Sequence, residues 1–105
     1  MIVGIGCDIC MIERVNLNIA SKILTNNEMV EFNKLQANRQ KEWLAGRFAA
    51  KEAIIKATGI LIMSEIEIIT SKEGKPICMI DGLKIHVSIS HDGDYAMAQV
   101  VAENV

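Results

Sequence analysis

The sequence predicts an α+β fold: an N-terminal strand and helices, with a long central helix packed on a mainly antiparallel sheet. Three observations predict it. Residues 2–7, IVGIGC, form a short apolar run of β type. Helical spacing and helix-capping signals fill the stretch up to Gly59. Beyond it, short alternating runs are punctuated by turn residues, the pattern of hairpins.

Each element has its own signal along the chain. Residues 2–7 read as a buried strand, and Asp8 at its end stands where a carboxylate can meet solvent or a ligand. Ile9, Ile12, Val15 and Ile19 are spaced close to a helical period, which predicts a helix over 9–20. Thr25 precedes Glu28 by three residues, a capping-box pattern that opens a helix over 26–36. The strongest helix runs over 38–58, with Leu44, Phe48, Ile55 and several alanines as its apolar stripe. Gly59 is its natural stop. Residues 65–70 alternate as a strand, and 71–76, with the only proline and a glycine, make a turn. Strands over 77–80, 84–90 and 95–101 complete the chain. Asp81-Gly82 and His91-Asp-Gly-Asp94 are the turns between them.

The chain has 105 residues, half of them apolar, which suits one domain spanning residues 1–105 and argues against disorder. So small a domain buries a modest share of its surface, so oligomerisation would be unsurprising. The net charge of −2 argues against nucleic acid as a partner. Charge is unevenly placed: residues 34–56 hold six basic and two acidic side chains, whereas residues 65–105 hold seven acidic and three basic. The basic half suits an anionic ligand or an acidic protein. Three cysteines, an odd number, fit a reducing compartment. Cys7 and Cys10 have CxxC spacing, but no second pair or nearby histidine completes a metal set, and buried apolar thiols are the better reading. No signal peptide and no run of membrane-spanning length is evident, so a cytoplasmic location without membrane association is expected.

Three groups of residues could carry chemistry. Asp8 is either the N-cap of the helix expected after it or a ligand for a hard cation, and the two roles can coexist. Glu52 and Lys56 lie one helical turn apart on one face. That arrangement is an exposed ion pair, or, with Asp8, part of a site in which two carboxylates share magnesium against a diphosphate. Ala45, Gly46, Ala49, Ala50 and Ala53 keep the helix slim around these charges, and Arg47 and Lys51 add positive charge on adjacent faces. Ser90-His91 ends a strand, where His91 is an ordinary turn residue or a donor to phosphate.

Four blocks carry a family resemblance: GIGCDI with IERV, RFAAKEAIIKATG, GKP, and VSISHDGDYAMAQVV. In order and approximate distance they resemble the holo-(acyl-carrier-protein) synthase family, the short members of the 4'-phosphopantetheinyl transferase superfamily. The resemblance implies the fold of those transferases and the movement of a 4'-phosphopantetheine arm from coenzyme A to a carrier-protein serine, within fatty acid biosynthesis. It implies magnesium as cofactor, held by Asp8 and Glu52, with Asp8, Glu52 and Lys56 catalytic. Arg47, Lys51, Lys56, Gly59, Ser90 and His91 are expected at coenzyme A, and Arg14 at the acidic carrier protein. It implies a homotrimer with each site between two subunits. The chain departs from the pattern after Gly59, where the loop is short and apolar (Ile60, Leu61, Ile62, Met63), and at Leu24, where an aromatic is commoner. A non-catalytic module that holds coenzyme A or a carrier protein is the alternative. The base that takes the serine proton, Glu52 or a metal-bound water, stays open.

Overall fold

A computed structural model describes all residues from Met1 to Val105. Five strands form one antiparallel sheet in the order β1-β5-β4-β3-β2: β1 (Ile2–Met11), β2 (Ile69–Thr70), β3 (Pro76–Ile80), β4 (Leu83–Asp92) and β5 (Tyr95–Asn104). The helices are α1 (Ala20–Ile23), α2 (Asn26–Lys34) and α3 (Ala37–Thr58). The α+β class expected from the element order is the class observed.

α3 lies across one face of the sheet, and small residues set how closely. Ala49, Ala50 and Ala53 on the helix are fully buried against Ala98, Val100 and Ala102 of β5. On β1, a Cβ at Gly4 would collide with the Ala57 carbonyl, and one at Gly6 with the Ala53 carbonyl. The backbone of β1 therefore rests directly on the helix. A second cluster, built on Val15, Ala20, Ile23, Leu24, Phe32 and Leu44, packs the early helices against the N-terminal half of α3. The other face of the sheet has no cover: Ile5 (71 % exposed), Ile9 and Met97 point into solvent.

Local signals worked where they were complete. Thr25 and Glu28 form both halves of the capping box at α2. Gly59 ends α3 with φ 81°, the left-handed conformation that glycine adopts without a Cβ clash.

Three expectations are corrected. The strand expected over 2–7 continues to Met11, and the helix expected over 9–20 is absent. Short 3-10 turns at Ile12–Arg14 and Leu17–Ile19 and the single turn of α1 replace it. Ile9 and Cys10 pair with Met97 and Ala96 of β5, a partner about ninety residues away that periodicity cannot register. The strand expected over 65–70 shrinks to Ile69–Thr70. Ile66 and Ile68 are buried as the alternation implied, but the Ile68 amide donates to Glu28 Oε2 rather than to a strand. Finally, the turn expected at 91–94 is two residues shorter. His91 and Asp92 pair with Ala96 and Tyr95, leaving Gly93-Asp94 as the turn, with φ 57° at Gly93.

Candidate active site

The site grows from the crossing of β1 over α3. Two strand residues advance about 6.6 Å and one helical turn of four residues about 6 Å. The Gly4–Ala57 and Gly6–Ala53 contacts therefore step together down the helix. Asp8 is next in that series, on the same face of β1, and so falls beside the turn that carries Glu52. Lys56, one turn further on, reaches back across the edge strand. Its Nζ donates to Asp8 Oδ1 at 3.1 Å and to the Cys7 carbonyl at 3.0 Å. β1 is an outer strand of the sheet, so that carbonyl is open to a side chain. The Glu52 side chain is half-buried. A shallow cavity of about 360 Å³ opens beside the lysine, between Ile5, Gly6, Cys7, Lys56 and Gln99.

The arrangement places an ammonium and two carboxylates on one slim helix–strand edge. That donor set fits a hard cation completed by water and phosphate oxygens. It does not fit an ion caged by protein alone, since no cluster of three or more His, Cys, Asp and Glu side chains is gathered. Cys7 and Cys10 do not form a shared site. Three apart on a strand, they point to opposite faces, one exposed and one half-buried.

The other expected residues are spread more widely. His91 faces α3 from β4. Its Nε2 lies 3.2 Å from the Glu42 carbonyl and its Nδ1 3.7 Å from Glu42 Oε1. Gly46 makes room for it, because a Cβ there would stand 3.0 Å from Nε2. Ser90, the preceding residue, points to the open face instead, opposite Met97. The two residues line one cavity of about 240 Å³ with Ile9, Asp92, Tyr95 and Met97. Gly59 donates its amide to the Ile55 carbonyl at 2.8 Å, so that group closes the helix. Arg14 is exposed at the end of a 3-10 turn and lines a depression of about 460 Å³. Lys41 of α3, one of the six basic residues of the stretch 34–56, lines the same depression; its meeting with Arg14 was not legible, because the two lie far apart in the chain.

Arg47 and Lys51, expected at coenzyme A, face away from this edge. Lys51 is fully buried, with its Nζ donating to the Ile23 carbonyl (2.6 Å), Glu28 Oε1 (2.6 Å) and the Met63 carbonyl (2.9 Å). All three ammonium hydrogens are thereby used. Burial pushes its pKa down, and the Glu28 hydrogen bond opposes that shift. Arg47 is buried over the Trp43 ring, 4.6 Å from its centroid. It donates to Thr70 Oγ1 at 2.7 Å and lies 3.5 Å from Glu31 Oε2. Charge and slimness on α3 were legible; which face each charge occupies was not.

Comparison with known proteins decides the family. A sequence profile described as the 4'-phosphopantetheinyl transferase superfamily matches residues 4–100. The chain belongs to this superfamily. A holo-(acyl-carrier-protein) synthase of Geobacillus kaustophilus is 48 % identical, covering 100 % of this chain and 92 % of that protein. One from Halalkalibacterium halodurans is 42 % identical, covering 100 % and 98 %. Among solved structures, the Bacillus anthracis holo-(acyl-carrier-protein) synthase, in complex with CoA (3',5'-ADP), superposes with a TM-score of 0.92. It is 40 % identical and covers 100 % of this chain and 99 % of that one. The Plasmodium yoelii holo-ACP-synthase gives 0.85 at 34 % identity, covering 100 % and 97 %. The transferase fold therefore extends over the whole chain, and the short loop after Gly59 sits within it. No helix of this superfamily member is long and apolar enough to cross a membrane.

Proposed function

We propose that the protein transfers the 4'-phosphopantetheine group from coenzyme A to a serine of an apo-acyl carrier protein in the cytoplasm, supporting fatty acid biosynthesis. The observation that carries the reading is the Lys56 bridge to Asp8 across β1, with Glu52 one helical turn away on the same edge. Pure binding of a ligand does not call for two carboxylates and an ammonium along one edge; a diphosphate under attack does.

In the reaction, the serine oxygen bonds to the phosphorus that bears the pantetheine arm. The bond from that phosphorus to the bridging oxygen breaks, and 3',5'-bisphosphoadenosine leaves. Asp8 and Glu52 would hold magnesium, which when bound supplies positive charge against the diphosphate. Lys56 adds charge from the helix, and its exposed Nζ can turn from Asp8 to a phosphate oxygen. The serine proton would pass to Glu52 or to a water at the site. His91, held against α3 by Glu42 and Gly46, presents an imidazole for the nucleotide end of the donor, with Ser90 beside it. Arg14 and Lys41, which line one depression with Glu13, offer net positive charge to an acidic carrier protein.

A homotrimer is part of the proposal. Ser90 and the exposed Ile5, Ile9 and Met97 lie on the uncovered sheet face, whereas Asp8, Glu52 and His91 lie on the helix side. A second copy against that face would cover the apolar surface and wall the site. The test is to incubate the protein with coenzyme A, magnesium and apo-carrier protein and to weigh the carrier. Addition of one phosphopantetheine mass is expected. An unmodified carrier with coenzyme A still bound would instead favour a non-catalytic binding module.

A further inference from the structure

Lys51 and Glu28 form a buried ion pair that no step of the transfer uses. We propose that Lys51 is a positioning residue for the acceptor, fastening the segment that carries Arg14 to the turn of α3 that carries Glu52. The inference rests on the transferase reading.

α1 is one turn long, too short to hold its own shape. Lys51 caps its C-terminus directly, with Nζ on the Ile23 carbonyl, the last residue of the helix. The same Nζ holds Glu28 Oε1, which also accepts the Thr25 amide at the start of α2. Glu28 Oε2 accepts the Ile68 amide, and the third Lys51 bond goes to the Met63 carbonyl. One ammonium and one carboxylate thus tie together the end of α1, the start of α2 and the segment after α3. Glu31 and Arg47, one turn along in each helix, meet in the same sense, and Thr70 and Trp43 bond to that Glu31.

None of these contacts touches β1, Asp8 or His91. The donor side of the site is held separately, by Gly4 and Gly6 on the α3 backbone and by Gly46 beneath His91. Removing the Lys51 charge therefore loosens residues 12–24, where the carrier protein would dock, and leaves the donor-binding edge in place. The effect is selective: the acceptor is recognised less well while the chemistry, once assembled, is unchanged.

The experiment is steady-state kinetics of Lys51→Met and, as a milder disruption of the same frame, Thr25→Val. Thr25 Oγ1 accepts the Glu28 amide and donates to Glu67 Oε1. Both are assayed below their melting temperatures, beside the wild type. For Lys51→Met, the KM for carrier protein should rise tenfold or more, with kcat and the KM for coenzyme A within threefold. Thr25→Val should raise the carrier KM about threefold. A purely structural role lowers the active fraction, so kcat falls with both KM values unchanged. That result in either folded variant overturns the proposal. Should Lys51→Met not fold, Thr25→Val decides alone. A wild type that fails to modify the carrier would refute the transferase reading itself, before the variants are compared.

Discussion

At the scale of single residues, the proposed function rests on a few charges at one helix–strand edge. Glu52→Gln keeps shape and removes charge, so the variant should fold normally and lose about 100- to 1,000-fold in kcat. A wild-type rate of carrier modification would remove Glu52 from the chemistry. The cysteines test burial by titration. Cys7 is exposed, Cys10 half-buried and Cys78 buried. Burial, followed by the nearby Glu28 charge, raises the Cys78 pKa to about 11. A native-state thiol assay at pH 8 should find Cys78 silent until unfolding. The raised value also sets the sign of a pH effect, because the folded state keeps the Cys78 proton where the unfolded chain has lost it. Stability should therefore fall by about 2–3 kcal/mol as pH climbs from the ordinary thiol value toward 11, and Cys78→Ala should flatten that slope in denaturant melts.

At the scale of elements, the crossing of β1 and α3 is the least tolerant feature. Gly6 has no room for a side chain, because the Ala53 carbonyl occupies that space. Gly6→Ala must push strand and helix apart, at about 1–3 kcal/mol or more, and carry Asp8 away from Glu52 and Lys56. Thermal melts should register the first effect. The second should appear as a rate loss that persists well below the melting temperature. α2 meets α3 differently, through Glu28–Lys51 and Glu31–Arg47, in addition to the apolar contact of Phe32 with Trp43. Breaking one partner of the buried pair leaves the other charge stranded, which costs about 3–5 kcal/mol, whereas an apolar replacement of both is far milder.

At the scale of the whole molecule, the sheet has one covered and one bare face. Apolar groups such as Ile5, Ile9 and Met97 face solvent on a chain of only 105 residues. Light scattering should give about three times the chain mass. Ile5→Lys, a charge placed on that face, should shift the species toward one chain and lower transferase activity with it. An unaltered mass for the variant would show that this face is not the interface. Carrier-protein KM should also rise with ionic strength, because the exposed Arg14 and the half-buried Lys41 meet solvent at one depression.

Some of this was legible beforehand. The Thr25–Glu28 box, the Gly59 stop and the alternation of β5 depend on residues a few positions apart, so the sequence alone determined them, and the four-block pattern alone determined the family. Three matters were decided only by tertiary structure. Ile9 and Cys10 became strand because β5 bonds to them. Arg47 and Lys51 turned inward because Glu31 and Glu28 wait there. Lys56 met Asp8 because two glycines let β1 lie on the helix. The physical reason is common to all three: a side chain's partner across the fold is set by the summed packing of distant segments, which no local window contains.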